Sequence, residues 1–448
     1  MLEPQFAKDR AAALVERARR AGADAADVVY RGASSEAVQV RLGVLEDVER
    51  SENEHLSLRV FIGQRSASVG SSELGSAALD ELASRALAMA RLAPEDRYAG
   101  LAPQELLADA PLPDLDLHDD ADPQPDQLRR LAQAAEAAAR AVPGITNSNG
   151  AGASSGREVF ALATSMGFCE AFAGTMRSIS ASVIAGEGSG MQRDYASRSA
   201  RRLADLPGAD MIGQQAGERT VARLAPGRVK SGSMPVVFDP RVGGSLIGHL
   251  LGAISGSAIA RKASFLVGKD CAQIFGSNVT ITDDPLRHRG PASRPFDGEG
   301  LATASRDLVS GGVLGGWLMD SAAARQLGLA PTGNAVRGYG GAPGVSASNV
   351  HMGPGAASPA ELIADITDGV LVTELIGQGA NGVTGDYSRG ATGFRIINGE
   401  VAGPIAEFTI AGNLLDMFAA LIPADDLEWH RSVNVPTIRI DGMTVAGD

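Results

Sequence analysis

Cysteine is scarce in this chain. Cys169 and Cys271 are the only two among 448 residues, and they lie far apart in the sequence. Neither belongs to a C-x-x-C pair, the spacing that is typical of redox dithiols and zinc knuckles. We therefore expect two buried, reduced thiols in a reducing compartment.

Long apolar runs and clustered basic charge are also missing. No stretch approaches the ~20 consecutive apolar residues of a membrane span, and the N-terminal segment MLEPQFAKDR is charged from its third residue, unlike a secretory signal. The 40 Lys and Arg residues are scattered, and 53 acidic residues leave a net charge of −13. Binding to nucleic-acid phosphates depends on clustered positive charge. We expect a cytoplasmic protein that binds neither membranes nor nucleic acids.

Length and patterning predict an α+β protein of several domains. With 448 residues, 44 % of them apolar, the chain is too long for one compact core, so two or three domains are expected. The predicted segments are an N-terminal helix and antiparallel-sheet domain (1–109), a Pro- and Asp-rich linker (110–127), a middle α+β domain (128–230) and a mainly antiparallel β domain with a few helices (231–448).

Local signals place the main elements. Apolar residues at helical spacing predict helices near 5–21, 76–92, 126–141 and 208–223. Asp239 is a favourable N-cap residue, and Pro240 suits the first position of a helix, so the two predict a further helix. Two hairpin turns are predicted, at Gly311-Gly312 and at Asn398-Gly399, and the second pair tolerates the positive φ of a type I′ turn.

Two glycine motifs lack the context that their chemistry requires. G-x-G-x-x-G at 377–382 follows a strand-like run, but no helix follows to receive a pyrophosphate, so a nucleotide site is not predicted. G-x-S-x-G at 152–156 would make Ser154 a nucleophile only between an apolar strand and a helix. Neither flanks it, so we predict a polar turn there.

An acidic cluster and the remaining histidines carry no metal-ligand spacing. His288 lies near Asp283, Asp284, Asp297 and Glu299, but prolines and glycines make 285–300 an irregular loop, and we predict solvated loop charges. The isolated histidines are predicted to be surface or core residues rather than ligands: His55, His118, His351 and His430.

Several segments together resemble the TldD/PmbA proteins, also called the modulator of DNA gyrase family. They are DDPLRHRGPASRPFDGEG (283–300), LVSGGVLGGWLMDSAAARQLGLAPTGNAVRG (308–338), GVLVTELIGQGANGVTGDYSRGATGFRIINGE (369–400), FTIAGNLLDMFAAL (408–421) and SENEHLSLRVFIGQRSASVGSSEL (51–74). The resemblance implies two branches that form a heterodimeric protease. In the TldD-type branch, H-E-x-x-x-H on a helix and a cysteine near the C-terminus hold zinc, which polarises the scissile carbonyl and activates water.

The corresponding helix of this chain, 240–258, has a degenerate metal site. Alignment through the shared R-K-x-S segment at 261–264 places Gly248 and Ala253 at the two histidine positions and His249 at the glutamate position. A slip of one residue would instead align Leu250 with the glutamate and Ile254 with the second histidine. No cysteine follows Cys271. The chain therefore resembles the metal-free PmbA (TldE-type) branch, with no catalytic or metal-binding residue of its own.

The resemblance implies a non-catalytic subunit whose TldD-type partner carries zinc. Its implied substrates are unfolded peptides, including precursors that lose a leader segment and small, poorly folded proteins. Asn334, Arg337 and Asn381, polar residues in glycine-rich segments, are candidate peptide contacts. His249 is predicted to be a hydrogen-bonded packing residue, with contact to substrate or partner as the alternative.

Two other functions remain open at this point. One is a homodimeric peptide-binding or regulatory protein without a protease role. The other is a self-sufficient, metal-free hydrolase that would depend on Ser154 or His249.

Overall fold

The computed structural model describes residues 3–340 and 342–447. Its helices are α1 (Pro4–Arg20), α2 (Ser76–Leu92), α3 (Pro125–Ala141), α4 (Ala209–Ala222), α5 (Pro240–Ala253), α6 (Gly256–Ala260), α7 (Ser321–Leu327), α8 (Pro359–Ile363) and α9 (Leu414–Ala419). The four helices predicted from apolar periodicity are confirmed as α1 to α4. None of the helices in these residues is long and apolar enough to cross a membrane.

The strands form two large sheets and smaller ones. They are β1 (Ala25–Arg41), β2 (Val44–Ile62), β3 (Arg65–Ser71), β4 (Ile145–Thr164), β5 (Cys169–Ala185), β6 (Gln192–Ala200), β7 (Gly232–Phe238), β8 (Ile281–Asp283), β9 (Arg306–Ser310), β10 (Val313–Leu314), β11 (Ala335–Val336), β12 (Gly344–Val345), β13 (Val350–Met352), β14 (Asp368–Ile376), β15 (Asp386–Ile397), β16 (Glu400–Asn413), β17 (Leu421–Pro423), β18 (Val433–Asn434) and β19 (Ile438–Ala446). The α+β class predicted from the sequence is confirmed.

The first sheet is antiparallel throughout, in the order β3-β2-β1-β4-β5-β6. Strand β1 pairs with β4 from Asp27↔Thr164 to Val40↔Ala151, so segments on both sides of the Pro- and Asp-rich stretch share one sheet. Helices α1 and α2 cover one end of the sheet around Tyr30. Helices α3 and α4 cover the other end around Val38.

The opposite face of this sheet meets the C-terminal part of the chain. Phe296, from the loop that follows β8, packs against Phe160 of β4, Phe168 in the turn before β5 and Phe172 of β5. Aromatic side chains bury large apolar areas, so this cluster is an anchor between the two parts. Other residues of that face, including Ser180 and Ser182 of β5, line the cleft described below.

The second large sheet closes on itself. Its order is β16-β15-β14-β7-β19-β17, and β19 pairs again with β16, which makes a small barrel. The pairing of β7 with β14 is parallel and the others are antiparallel. Both predicted hairpins are present, and Asn398 and Gly399 adopt φ values of 50° and 80°, as a type I′ turn requires.

The prediction of two buried thiols was wrong. Cys169 is half-buried at the start of β5, and Cys271 is exposed in a turn where its φ is 55°. The turn lies outside the barrel core, so the small side chain is left in solvent.

Candidate functional site

Helix α5 presents one apolar face and one bare face. It begins at Asp239, whose side chain accepts a hydrogen bond from the backbone N–H of Arg241 at 2.8 Å, as the sequence predicted. Leu246 and its apolar neighbours pack into the barrel core. On the other face, Gly248 and Gly252 are exposed, and a Cβ atom on either would meet nothing within 4 Å. Another chain can therefore approach the helix backbone closely here.

His249 lies half-buried beside the bare face of α5. Its ring packs edge-on against Tyr387, with the ring centroids 5.9 Å apart. Its Nε2 atom is buried and has no hydrogen-bond partner among the described residues, although a hydrogen bond was predicted. Burial, together with the nearby Arg389 guanidinium, lowers the pKa of His249, so the imidazole is neutral at pH 7.

The residues of α5 do not fit a catalytic zinc ion. Gly248 has no side chain, Ala253 contributes only a buried methyl group, and His249 is the single donor at the three aligned positions. A catalytic zinc needs three protein ligands. Elsewhere in 3–340 and 342–447, no group of three or more His, Cys, Asp or Glu side chains is arranged to hold a metal ion.

A cleft of about 710 Å³ opens beside the first turns of α5. One wall is the uncovered face of the first sheet, with Ser180 and Ser182 of β5. The other wall is formed by α5 and the end of β14. Arg193 of the edge strand β6 and Arg389 of β15 also line the cleft. A cleft of this size accommodates a few residues of a peptide.

Ion pairs across one side of the cleft join the two parts of the chain. Asp194 of β6 accepts hydrogen bonds from Arg241 at 3.0 Å and from Arg223 at 3.4 Å. Arg223 also donates to Glu374 of β14 at 2.5 Å, and the Arg241 Nε atom donates to Asp239 at 3.3 Å. Because these groups come from the C-terminal end of α4, from β6, from the start of α5 and from β14, their pairing links elements on both sides of the cleft. Nothing in the local sequence around these residues indicates that they meet.

Arg337, a predicted peptide contact, lies in a buried ion-pair network. Its Nη1 atom donates to Asp27 of β1 at 2.7 Å, and its side chain is fully buried. Arg59 of β2 lies opposite Asp27 in the sheet and donates to the same carboxylate at 2.9 Å. Burial raises the pKa of Asp27, but Arg337 and Arg59 outweigh burial and hold the pKa below its ordinary value. The network ties the C-terminal part to the first sheet.

The prediction that the acidic cluster is solvated was wrong for Asp283, Asp297 and Glu299, which are 1–3 % exposed. Asp283 accepts hydrogen bonds from the Asn334 side chain at 3.0 Å and from the Ser348 backbone at 2.7 Å. Tertiary contacts supply these donors, so the carboxylates tolerate burial. His288, by contrast, is exposed. Asn334, the second predicted peptide contact, is itself buried in this arrangement.

Asp297 is expected to make stability depend on pH. Three backbone N–H groups donate to its carboxylate, yet burial and then the charge of Glu299 raise the pKa of Asp297 to about 7. In the unfolded chain, the value returns to about 3.8. The folded protein therefore holds a proton that the unfolded chain releases, and this contribution to stability is lost as pH rises from about 4 to about 7.

The test compares urea unfolding of the native chain and an Asp297→Asn variant at about pH 5 and about pH 8. The amide carries no charge at either pH. The free energy of unfolding of the variant should therefore increase relative to that of the native chain as pH rises. An identical difference at both pH values would show that Asp297 stays ionised throughout.

Asn381, the third predicted peptide contact, lies in the exposed connection between β14 and β15. Its side-chain oxygen accepts hydrogen bonds from the backbone of Val383 at 2.9 Å and Thr384 at 3.3 Å. The G-x-G-x-x-G segment at 377–382 belongs to the same connection between antiparallel strands. The next element in the described chain is the strand β15, so the segment is not followed by a helix, as the pattern predicted.

The polar turn predicted around Ser154 was wrong. Ser154 lies in the middle of β4, opposite Ala37 of β1 and Ser178 of β5. Pairing on both edges provides backbone hydrogen bonds that override the weak strand preference of Gly and Ser. The Ser154 hydroxyl is 2.7 Å from that of Ser178, and it has no hydrogen-bonded base among the described residues.

Comparison with known proteins agrees with this architecture. Models of three PmbA/TldA metallopeptidase domains match the chain: domain 1 at 26–90, the central domain at 118–224 and the C-terminal domain at 231–447. The fold is similar to that of a putative modulator of DNA gyrase from Bacteroides thetaiotaomicron, with a TM-score of 0.92, 28 % identity and full coverage of both chains. TldE from Thermococcus kodakarensis shares the fold, with a TM-score of 0.84, 22 % identity and coverage of 97 % and 99 %.

Two sequence relatives span almost the whole chain. Metalloprotease PmbA of Escherichia coli is 37 % identical, and the match covers 95 % of this chain and 92 % of that protein. A metalloprotease PmbA homolog of Haemophilus influenzae is 35 % identical, with coverage of 97 % and 94 %. These matches confirm the resemblance to the PmbA branch that the motifs indicated. The chain therefore belongs to the PmbA/TldD metallopeptidase family.

Proposed function

We propose that this chain is the metal-free subunit of a two-chain metallopeptidase. A TldD-type partner would carry zinc and cleave the peptide bond. This chain would form half of the enclosure around an unfolded peptide and would hold part of that peptide in its cleft. The substrate class we propose is leader-bearing precursors and small, poorly folded proteins.

The observation that carries the proposal is the state of α5. Gly248, His249 and Ala253 supply one donor where a catalytic zinc needs three, while the helix, its cap and its packing on the barrel are intact. A catalytic helix that has lost its ligands but kept its place in the fold is consistent with a supporting role beside a competent subunit.

The surroundings of α5 support contact with an extended peptide. Ser245, about one turn before Gly248 on α5, lines the cleft, and β6, which contributes Arg193 to the cleft, is an edge strand of the first sheet. Edge strands offer unpaired backbone groups, so an extended peptide can add to them by main-chain hydrogen bonds.

Two predicted contact residues are better suited to support than to peptide binding. The side chains of Arg337 and Asn334 are occupied by Asp27 and Asp283, so we propose that they position the loops of the C-terminal part. Asn381 is exposed, and we propose that it remains a candidate for contact with the peptide or the partner.

The test is cleavage of an unstructured peptide by the purified chain, by a TldD-type partner and by their mixture. Each reaction is run with and without a zinc chelator, and a mixture reloaded with zinc after chelation is the control. Cleavage only in the mixture, abolished by the chelator and restored by zinc, is the expected result.

Other outcomes favour the alternatives. Chelator-resistant cleavage by this chain alone would overturn the proposal in favour of a metal-free hydrolase. A mixture that binds the peptide but does not cleave it, although the partner holds zinc, would favour a peptide-binding or regulatory protein.

A further inference from the structure

The charges in the cleft are not balanced. Asp194 and Glu374 line it, but both are already paired with Arg223 or Arg241. Arg193 and Arg389 line the same cleft and, unlike those two arginines, they form no ion pair with any residue that the structure describes. In a chain whose net charge is −13, guanidinium groups without a carboxylate partner are notable in a concave site.

Arg389 is half-buried where it lines the cleft. Its Nε atom is buried and has no hydrogen-bond partner among the described residues. It lies beside His249, whose pKa is lowered first by burial and then by this guanidinium, and an imidazole ring cannot provide the negative charge that would balance Arg389. A buried N–H donor without a partner is costly, and an anionic ligand that accepts from this Nε atom would remove that cost.

The remaining lining determines which anion fits. Ser180, Ser182 and Ser245 contribute small hydroxyl groups, and Arg193 lies at the exposed side on the edge strand β6. A guanidinium matches the planar geometry of a carboxylate and donates two parallel hydrogen bonds to it. Phosphate chains of nucleic acids are disfavoured by the acidic character of the whole chain.

We propose that this cleft binds a carboxylate of the peptide ligand, with Arg389 and Arg193 as the donors. The carboxylate belongs to the peptide C-terminus or to an Asp or Glu side chain. The inference rests on the proposed function only in taking a peptide as the ligand. It predicts that peptides are held by their charge as well as by their main chain.

The experiment measures binding to the full-length chain by fluorescence anisotropy. The probe is a short Ser/Gly/Ala peptide with a neutral dye at its N-terminus. It is made as the free acid, as the C-terminal amide, and as amides with one internal Glu or Gln. We expect the free acid, the Glu amide or both to bind about tenfold or more tightly than the uncharged versions, as for hydrogen bonds to charged groups.

Two variants and one control test the arginines. Arg389→Gln and Arg193→Gln should each reduce binding of the carboxylate peptide towards that of the uncharged one, without changing the latter. Arg395→Gln is the matched control, because Arg395 lies on the same strand as Arg389 but pairs with Asp368 outside the cleft. It should leave all affinities unchanged. Thermal unfolding of each variant verifies that it is folded, and Arg193 is exposed, so its replacement is not expected to disturb packing.

The outcomes separate this inference from the proposed function. A preference for the free acid identifies the C-terminus as the source, and a preference for Glu over Gln identifies a side chain. Equal binding of all four peptides, or a preference that survives both variants, overturns the inference even when the two-chain mixture cleaves peptide. A preference lost in both variants supports the cleft assignment even when that mixture is inactive.

Discussion

Replacing Arg337 by alanine is expected to lower the free energy of unfolding by about 3–5 kcal/mol. The Arg337 side chain is fully buried, and its Nη1 atom donates to Asp27 at 2.7 Å. Asp27 is 1 % exposed, so its charge cannot be solvated when one of its two arginine partners is removed. The other partner, Arg59, offsets part of this loss but cannot reach the Asp27 oxygen that Arg337 occupies without a change of geometry.

Urea unfolding of the Arg337→Ala variant measures this effect, with Arg395→Ala as the control. Arg395 forms two hydrogen bonds with Asp368, but that pair is at the surface, so its loss should cost about 1 kcal/mol or less. Adding Asp27→Asn to Arg337→Ala should cost less than the sum of the single changes, because the two residues interact directly. Equal destabilisation by the two alanine variants would contradict a structural role for Arg337.

Gly213→Ala is expected to destabilise the protein by about 1–3 kcal/mol. Gly213 lies on α4 where this helix crosses α3, and a Cβ atom there would lie 2.9 Å from the backbone nitrogen of Ala139 and closer still to the carbonyl oxygen of Ala135. Backbone atoms of a packed helix cannot move aside individually. The two helices would therefore have to separate, which disturbs the core cluster that includes Leu128 and Ile212.

Gly248→Ala is the matched control, since it makes the same chemical change in another helix. A Cβ atom at Gly248 would meet nothing within 4 Å. Alanine has the higher helix propensity, so this variant should be more stable by about 0.5–1 kcal/mol. Thermal or urea unfolding of both variants should therefore give changes of opposite sign. Destabilisation by Gly248→Ala would mean that the bare face of α5 is covered in the free chain.

Local signals predicted the elements well where neighbouring residues decide the conformation. The Asp239-Pro240 pair marks the start of α5 because capping involves only the first turn. Asn398-Gly399 marks a hairpin because positive φ at both positions is a property of those two residues. The helices α1 to α4 follow from apolar residues repeated along the same segment.

The same reasoning failed where partners distant in sequence decide the outcome. Ser154 is in a strand because β1 and β5 pair on both of its sides, although Gly and Ser favour turns locally. Asp297 and Glu299 are buried because backbone donors reach them, which the Pro- and Gly-rich loop sequence does not indicate. Asp27 and Arg59, which lie opposite each other, did leave a signal, because each is a charged residue between two buried apolar neighbours in its strand.

What the sequence by itself determined is the chemistry that α5 lacks. Glycine and alanine stand at the positions that align with the two histidines of the TldD-type motif, so these positions offer no donor atoms whatever the fold. What only the tertiary structure decided is where the charges lie. Arg337 and Asp27 are 310 positions apart and meet in the interior, while Arg193 and Arg389 face the cleft without a carboxylate partner among the described residues. The reason is desolvation: burial makes an unpaired charge costly, and whether a partner is within reach depends on the assembled fold rather than on neighbouring residues.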